Sequence, residues 1–382
     1  MHLLIAMDSL KGSLTSLEAG KAVEAAFLSV VPRGTAQVCP VADGGEGTVT
    51  ALTLGLGGEI KTATVTGPLG APVTAHYGIL PGGVAVLEMA EVAGLPLVAP
   101  EKRDPMYTTT YGVGELIRKA MDQGCRRFVI GIGGSATNDG GTGMLTALGY
   151  DFLDATGAPI APGAKGLEAL NSISAHRADP RLSECTFRVA CDVTNPLCGP
   201  LGCSAVFAPQ KGAGETDIPR MDAWLSEYAR LTAGLLPDAD PQRPGAGAAG
   251  GMGFGLMSYL HAESMPGVEL ILSQTGMEEK MKAADLVVVG EGKLDGQTAM
   301  GKAPAGVARL AKKYGKPVIA FAGCLGSDVA ACKACGIDEY YAITPADMPL
   351  AQAMEPATAY ENLKNTATDV FAKKVRKYYA DH

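Results

Sequence analysis

The sequence predicts an α/β protein in which both chain ends build one parallel-sheet domain and a second, mixed α/β domain is inserted between them. Three observations carry this. The first sixty residues alternate strand and helix patterns. After Gly58 short alternating strands take over, and from Asp285 the strand–helix rhythm returns. These changes place a Rossmann-like domain at residues 1–64 with 286–382 and the inserted domain at 65–285.

Leu3–Met7 is apolar and enters a strand at once, followed by the loop Asp8–Ser13. Thr15-x-x-Glu18 is a capping-box pattern, and Leu17, Val23, Phe27 and Val30 recur at roughly helical spacing. A second strand, Ala36–Val41, leads into Ala42–Gly47 and a helix ending near Leu56. Lys61–Thr66 and Pro72–Tyr77 alternate around Gly67-Pro68-Leu69-Gly70, and Val84–Met89 completes an antiparallel meander. The middle continues with a helix over Thr110–Met121 and strands at Phe128–Gly131, Phe187–Cys191 and Ser204–Phe207. A helix over Asp217–Leu235 then precedes the Pro- and Asp-rich loop to Pro244. Strands Asp285–Val289, Pro317–Ala322 and Asp338–Ile343 alternate with helical stretches Ala305–Lys313 and Ser327–Cys335. The last helix carries Tyr360, Leu363, Ala367, Val370, Phe371, Val375 and Tyr378 three or four residues apart.

Composition excludes several classes. The 382 residues carry 32 Lys+Arg against 40 Asp+Glu, a net charge of −8, and no basic stripe, so neither nucleic acid nor an anionic membrane is an expected partner. The longest uncharged apolar stretch, Gly245–Leu260, is too short and too Gly-rich to span a bilayer. The N-terminus has no basic segment or cleavage site, so a cytoplasmic location is expected. Nine irregularly spaced Cys read as free thiols in a reducing compartment, and five isolated His argue against zinc.

Open α/β sheets bind ligands outside the carboxyl ends of their strands. Four polar loops follow apolar strands here. In Asp8-Ser9-Leu10-Lys11-Gly12-Ser13, Lys11 can meet a phosphate or carboxylate as a point charge, or simply cap a turn. In Asp43-Gly44-Gly45-Glu46-Gly47, two carboxylates between glycines suit Mg²⁺ or substrate hydroxyls, and a solvated turn equally. Gly131–Gly141 bares backbone N–H groups that favour anions; it also matches Gly-x-Gly-x-x-Ala, with Asp151 twenty residues after Gly131. That match is the basis of a runner-up, an NAD-dependent hydroxy-acid dehydrogenase. The fourth loop is Gly290-Glu291-Gly292-Lys293-Leu294-Asp295-Gly296-Gln297-Thr298; its continuation to Lys302 falls one residue short of a P-loop. Cys191–Pro196 offers Asp192 beside Thr194 and Asn195, and Pro209–Gly212 offers Lys211. Gly245–Gly253 admits either a close nucleotide or tight packing.

Taken in order, these segments together with Pro40–Gly47 resemble the bacterial glycerate kinases that phosphorylate the 2-hydroxyl. Leu10, Ala208 and Lys293 stand where that family is expected to carry Phe, Gly and Arg. The resemblance implies an ATP- and Mg²⁺-dependent kinase acting on D-glycerate, with its active site in the cleft between domains that close over the substrates. Asp192 is the expected base, since it ends an apolar strand with Thr194 and Asn195 as helpers; Lys11 and Asp8 complete the catalytic set. Ser9, Asp43, Glu46, Asn138, Asp139, Thr194, Asn195 and Lys211 are expected at the substrate. Gly133, Gly134, Ser135, Gly290, Glu291, Gly292, Lys293 and Gln297 are expected at the nucleotide, and Asp295 at the metal. The implied partners are small molecules, D-glycerate and ATP, with a homodimer left open. A non-catalytic hydroxy-acid binding protein is the alternative outside enzymology.

Overall fold

The structure, a computed structural model, describes residues 1–42 and 47–380, with side chains to residue 374. Strands β1 (His2–Met7) and β2 (Thr35–Val38) open the chain. The middle holds β3 (Glu59–Thr66), β4 (Pro72–Leu80), β5 (Val84–Glu88) and β6 (Arg127–Gly131). Next come a small pair, β7 (Asp151–Leu153) and β8 (Ser172–Ser174), then β9 (Thr186–Ala190) and β10 (Glu263–Met265). β11 (Leu286–Leu294), β12 (Val318–Leu325) and β13 (Glu339–Ala342) close the series.

The chain divides into two compact units, one of Met1–Asp43, Thr50–Leu56 and Val268–His382, the other of Gly44–Val49 and Gly57–Gly267. Apart from the short stretch Gly44–Val49, the crossings therefore lie at 56/57 and 267/268, against the expected 64/65 and 285/286. Two packing facts explain the difference. β3 pairs along its whole length with β4, Glu59 opposite Ile79 to Thr66 opposite Pro72, so it goes with the middle unit. Val268, Met277 and Met281 bury their side chains in the same core as Leu4, Val287 and Val318, so residues from 268 onward go with the terminal unit.

The terminal unit is a five-stranded parallel sheet in the order β13-β12-β11-β1-β2. Strand alternation sorts β1 between two helix layers. Leu3, Ile5 and Met7 face the helices Ser16–Val30 and Pro356–Ala380, where Phe27 meets Phe371 edge-on at 5.4 Å. Leu4 and Ala6 face Met277–Ala283 and Ala303–Lys313. Thr15 caps the first helix as its sequence predicts: the Glu18 N–H donates to Thr15 Oγ1 at 3.2 Å, and the Thr15 N–H to Glu18 Oε2 at 2.9 Å. From β1 the chain steps outward to β2; from β11 it steps the other way to β12 and β13. The topological switch point thus lies between β1 and β11.

The middle unit is a six-stranded mixed sheet, β10-β9-β6-β5-β4-β3. The expected meander is its antiparallel half, β3-β4-β5; β5, β6, β9 and β10 run parallel. Phe128 and Phe187 stack at 4.8 Å on neighbouring strands. The expected strand Ser204–Phe207 is instead a helical turn, Cys203–Phe207. A short apolar run does not distinguish the two by periodicity; here Gly202 at the start and Pro209 after the end favour the turn. Among the described residues no helix is long and apolar enough to cross a membrane.

Candidate functional site

In the terminal unit the polar loops meet where the switch point places a ligand crevice. The Asp8 N–H donates to the Gly290 carbonyl at 2.8 Å, joining the ends of β1 and β11. Around them opens a cavity of about 410 Å³, lined on its polar side by Asp8, Ser9, Lys11, Glu291, Lys293 and Lys302. Its apolar side is Leu10, Ile343, Met348, Leu350, Met354 and Ala359. Asp8 is buried, and its Oδ1 accepts the Ser9 N–H at 2.7 Å. Glu291 is also buried: its Oε1 accepts the Thr298 hydroxyl at 2.5 Å, and Lys302 Nζ stands 3.8 Å from Oε2.

Lys293 Nζ lies 3.2 Å from Asp295 Oδ2, while Asp295 Oδ1 accepts the Gln297 N–H at 3.0 Å as N-cap of the short helix Gly296–Ala299. Burial pushes the Asp295 carboxyl up, but Lys293 and the Gln297 N–H together hold it below its ordinary value. Gly290, expected at the nucleotide, has a packing role. It is a strand residue whose Cβ would lie 2.2 Å from the Phe321 carbonyl and 2.3 Å from Met7 Cε, so close packing inside the sheet requires glycine. Asp43 and Glu46 lie outside the described residues. The Gly47 and Val49 N–H groups that follow them donate to the buried Glu88 at 3.3 and 2.6 Å.

In the middle unit, β6 ends in the loop carrying Gly133, Gly134 and Ser135. Gly133 and Gly134 are exposed. The sequence offers Asn138, Asp139 and Lys211 to substrate, but the structure buries all three. Asp139 is 0% exposed. Its Oδ2 accepts from the Thr110 N–H and hydroxyl at 2.8 Å each and from the Gly143 N–H at 3.3 Å, and its Oδ1 accepts the Gly141 N–H at 3.1 Å. Burial raises its pKa, outweighing those donors, which lower it. Asn138 donates to Ser204 Oγ at 2.9 Å. Asn195 spans its own loop, its amide donating to the Leu201 carbonyl at 2.8 Å rather than turning to Asp192. Thr194 and Asp192 are exposed, and the Gly267 N–H donates to Asp192 Oδ1 at 2.9 Å, fixing that carboxylate at the end of β9. Gly245–Gly253 serves packing: a Cβ on Gly250 would lie 2.0 Å from the Thr137 carbonyl.

Lys211 is 2% exposed and donates to Ser135 Oγ and to the Thr137 carbonyl, both at 2.7 Å. Burial lowers its pKa to about 8, with Cys203 and Asp139 opposing. Between that value and about 10.4 the unfolded chain holds a proton that the folded chain has lost, so Lys211 makes stability rise with pH across this window. The gap in denaturation midpoint between wild type and Lys211→Met should therefore shift in favour of the wild type from pH 8 to 10.5. A gap that stays flat would contradict the burial of an ammonium here.

The dinucleotide reading does not survive the loop's geometry. The fingerprint needs a helix opening at its glycines, but the helix here begins only at Thr142. Asp151 is bound to Arg177 instead of standing ready for a ribose.

A model of the glycerate kinase family matches residues 3–374. The chain belongs to the glycerate kinase family. It is 47% identical to the glycerate kinase of Bacillus subtilis and 46% identical to the glycerate 2-kinase of Escherichia coli, each over 97% of both chains. The crystal structure of a Salmonella typhimurium LT2 protein assigned as a glycerate kinase 2 superposes with a TM-score of 0.92 at 45% identity, covering 99% of each chain. Two residues lay outside the expected set: Lys302, which lines the cavity, and Glu88, which holds the Gly47 and Val49 N–H groups. Lys302 is hidden in a failed P-loop match, and Glu88 is hidden inside the apolar run Val84–Met89.

Proposed function

We propose that this family member transfers the γ-phosphoryl group of ATP to the 2-hydroxyl of D-glycerate. The observation that carries the reading is the cavity at the β1/β11 switch point. Three lysines, Lys11, Lys293 and Lys302, stand there with buried carboxylates beside an apolar wall. A triphosphate needs cations at one end and an apolar surface for its base at the other. We assign the purine to Ile343, Met348 and Met354, and the phosphates to the lysines. The names of the relatives support glycerate as the acceptor.

The donor set fits magnesium under one condition. Among the described residues no three His, Cys, Asp or Glu side chains converge as a metal cage. Mg²⁺ commonly keeps water and phosphate oxygens and takes only one or two carboxylates; Asp295 with Glu291 would serve. When bound, the ion neutralises phosphate charge. In the transfer itself the 2-hydroxyl oxygen attacks the γ-phosphorus, its proton passes to Asp192 and ADP leaves. Catalysis then rests on positioning and charge more than on covalent chemistry.

Phosphorus NMR of the product is the test. 2-Phosphoglycerate is expected; 3-phosphoglycerate as the main product would overturn the regiochemistry. Chelation should abolish turnover and Mg²⁺ restore it, whereas full activity in metal-free buffer would remove the ion from the reaction.

A further inference from the structure

The hydrogen bonds around Ser135 have a direction. A lysine ammonium has donors and no acceptor. Lys211 Nζ sits 2.7 Å from Ser135 Oγ, so that oxygen accepts, and its own proton has to go elsewhere. Among the described residues nothing takes it. The loop is held firmly around this point: the Ala136 N–H donates to the Ala93 carbonyl at 2.8 Å, and the Leu95 N–H to the Gly134 carbonyl at 2.9 Å. Gly134 has a φ of +74°, and Gly133 and Gly134 leave their backbone exposed beside the hydroxyl.

We propose that Lys211 is a positioning residue that turns the Ser135 hydroxyl away from itself, to donate to an anionic oxygen of a substrate lying against Gly133 and Gly134. The oxygen belongs to a phosphate or to a carboxylate. The proposal rests on the kinase reading only for the two substrates tried. The ammonium also sets a positive charge beneath the loop. Two ionisable groups act on it from neighbouring elements, Asp139 and Cys203. Burial pushes the Cys203 thiol up to about 12, so it stays neutral. Lys211 gives up its proton near pH 8. A neutral amine can accept, so the Ser135 proton can then turn inward as the charge disappears. Anion affinity at this loop therefore falls as pH rises past about 8.

The test is calorimetric titration of the full chain with ATP, with D-glycerate and with inorganic phosphate, none of which needs turnover. Ser135→Ala keeps the Lys211 bond to Thr137 and should weaken one substrate by about tenfold or more, the worth of a hydrogen bond to a charged group. Weaker ATP or phosphate assigns a phosphate, and weaker glycerate a carboxylate. Ser135→Thr should restore binding. Wild-type affinity for the affected ligand should fall several-fold between pH 7.5 and 9, and Lys211→Met should lack that fall. Unchanged affinities in Ser135→Ala for all three probes would overturn the proposal, as would a wild type that binds none of them. Product analysis separates the two claims: a chain that forms no phosphoglycerate yet binds phosphate through Ser135 refutes the kinase reading alone.

Discussion

Asp192→Asn should cut turnover by about 10²–10⁴-fold, the usual worth of a general base, with a much smaller change in KM for either substrate. The reason is the way this carboxylate is held. The Gly267 N–H fixes Asp192 Oδ1 while the residue stays exposed at the end of β9, so it can be reached by a hydroxyl in a fixed orientation. Asparagine keeps an acceptor oxygen for Gly267 and loses only the basicity, so the fold should not change. The comparison is Asp8→Asn, at the carboxyl end of β1 beside Lys11. If Asp192→Asn turns over normally while Asp8→Asn is inactive, the base lies in the terminal unit. Steady-state kinetics of the two variants at saturating substrate decide between them.

Much of the fold was legible because strand and helix periods differ, and because β1 and β11 carry apolar runs that a sheet covered on both faces demands. The capping box at Thr15 is a purely local signal, and the structure contains it. Domain junctions were less legible, since they depend on which strand β3 pairs with and on where Val268 is buried. Neither is written in local pattern. The loops of the site were visible as glycines with Asp, Glu or Lys after strands. Whether such a polar side chain turns outward or inward was not. Asp139 turns inward because Thr110, twenty-nine residues earlier, presents two donors to it. Lys211 does so because Ser135 and Thr137 offer oxygens from a loop more than seventy residues away. Long-range partners of this kind leave no periodic trace, and a buried polar group then resembles a ligand-binding one.

Asp139→Ala should accordingly be a folding defect before it is a catalytic one. The substitution removes the acceptor for the Thr110 hydroxyl and for three backbone N–H groups, those of Thr110, Gly141 and Gly143, all at buried positions. Donors left unsatisfied inside a protein each cost on the order of 1–3 kcal/mol. Breaking a buried charged network costs about 3–5 kcal/mol. In a unit of this size that lowers Tm by about 6–20 °C. The loss should be local at first. Amide exchange should quicken at the start of Tyr111–Asp122 and over 139–147, while the terminal sheet keeps its protection. Lys211 also loses the carboxylate that supports its ammonium, so its pKa should fall further and the loop at Ser135 should lose its positive charge at a lower pH. A direct substrate contact predicts the opposite pattern, with unchanged Tm and exchange but a raised KM for glycerate. That outcome would return Asp139 to the substrate site that its sequence context suggests.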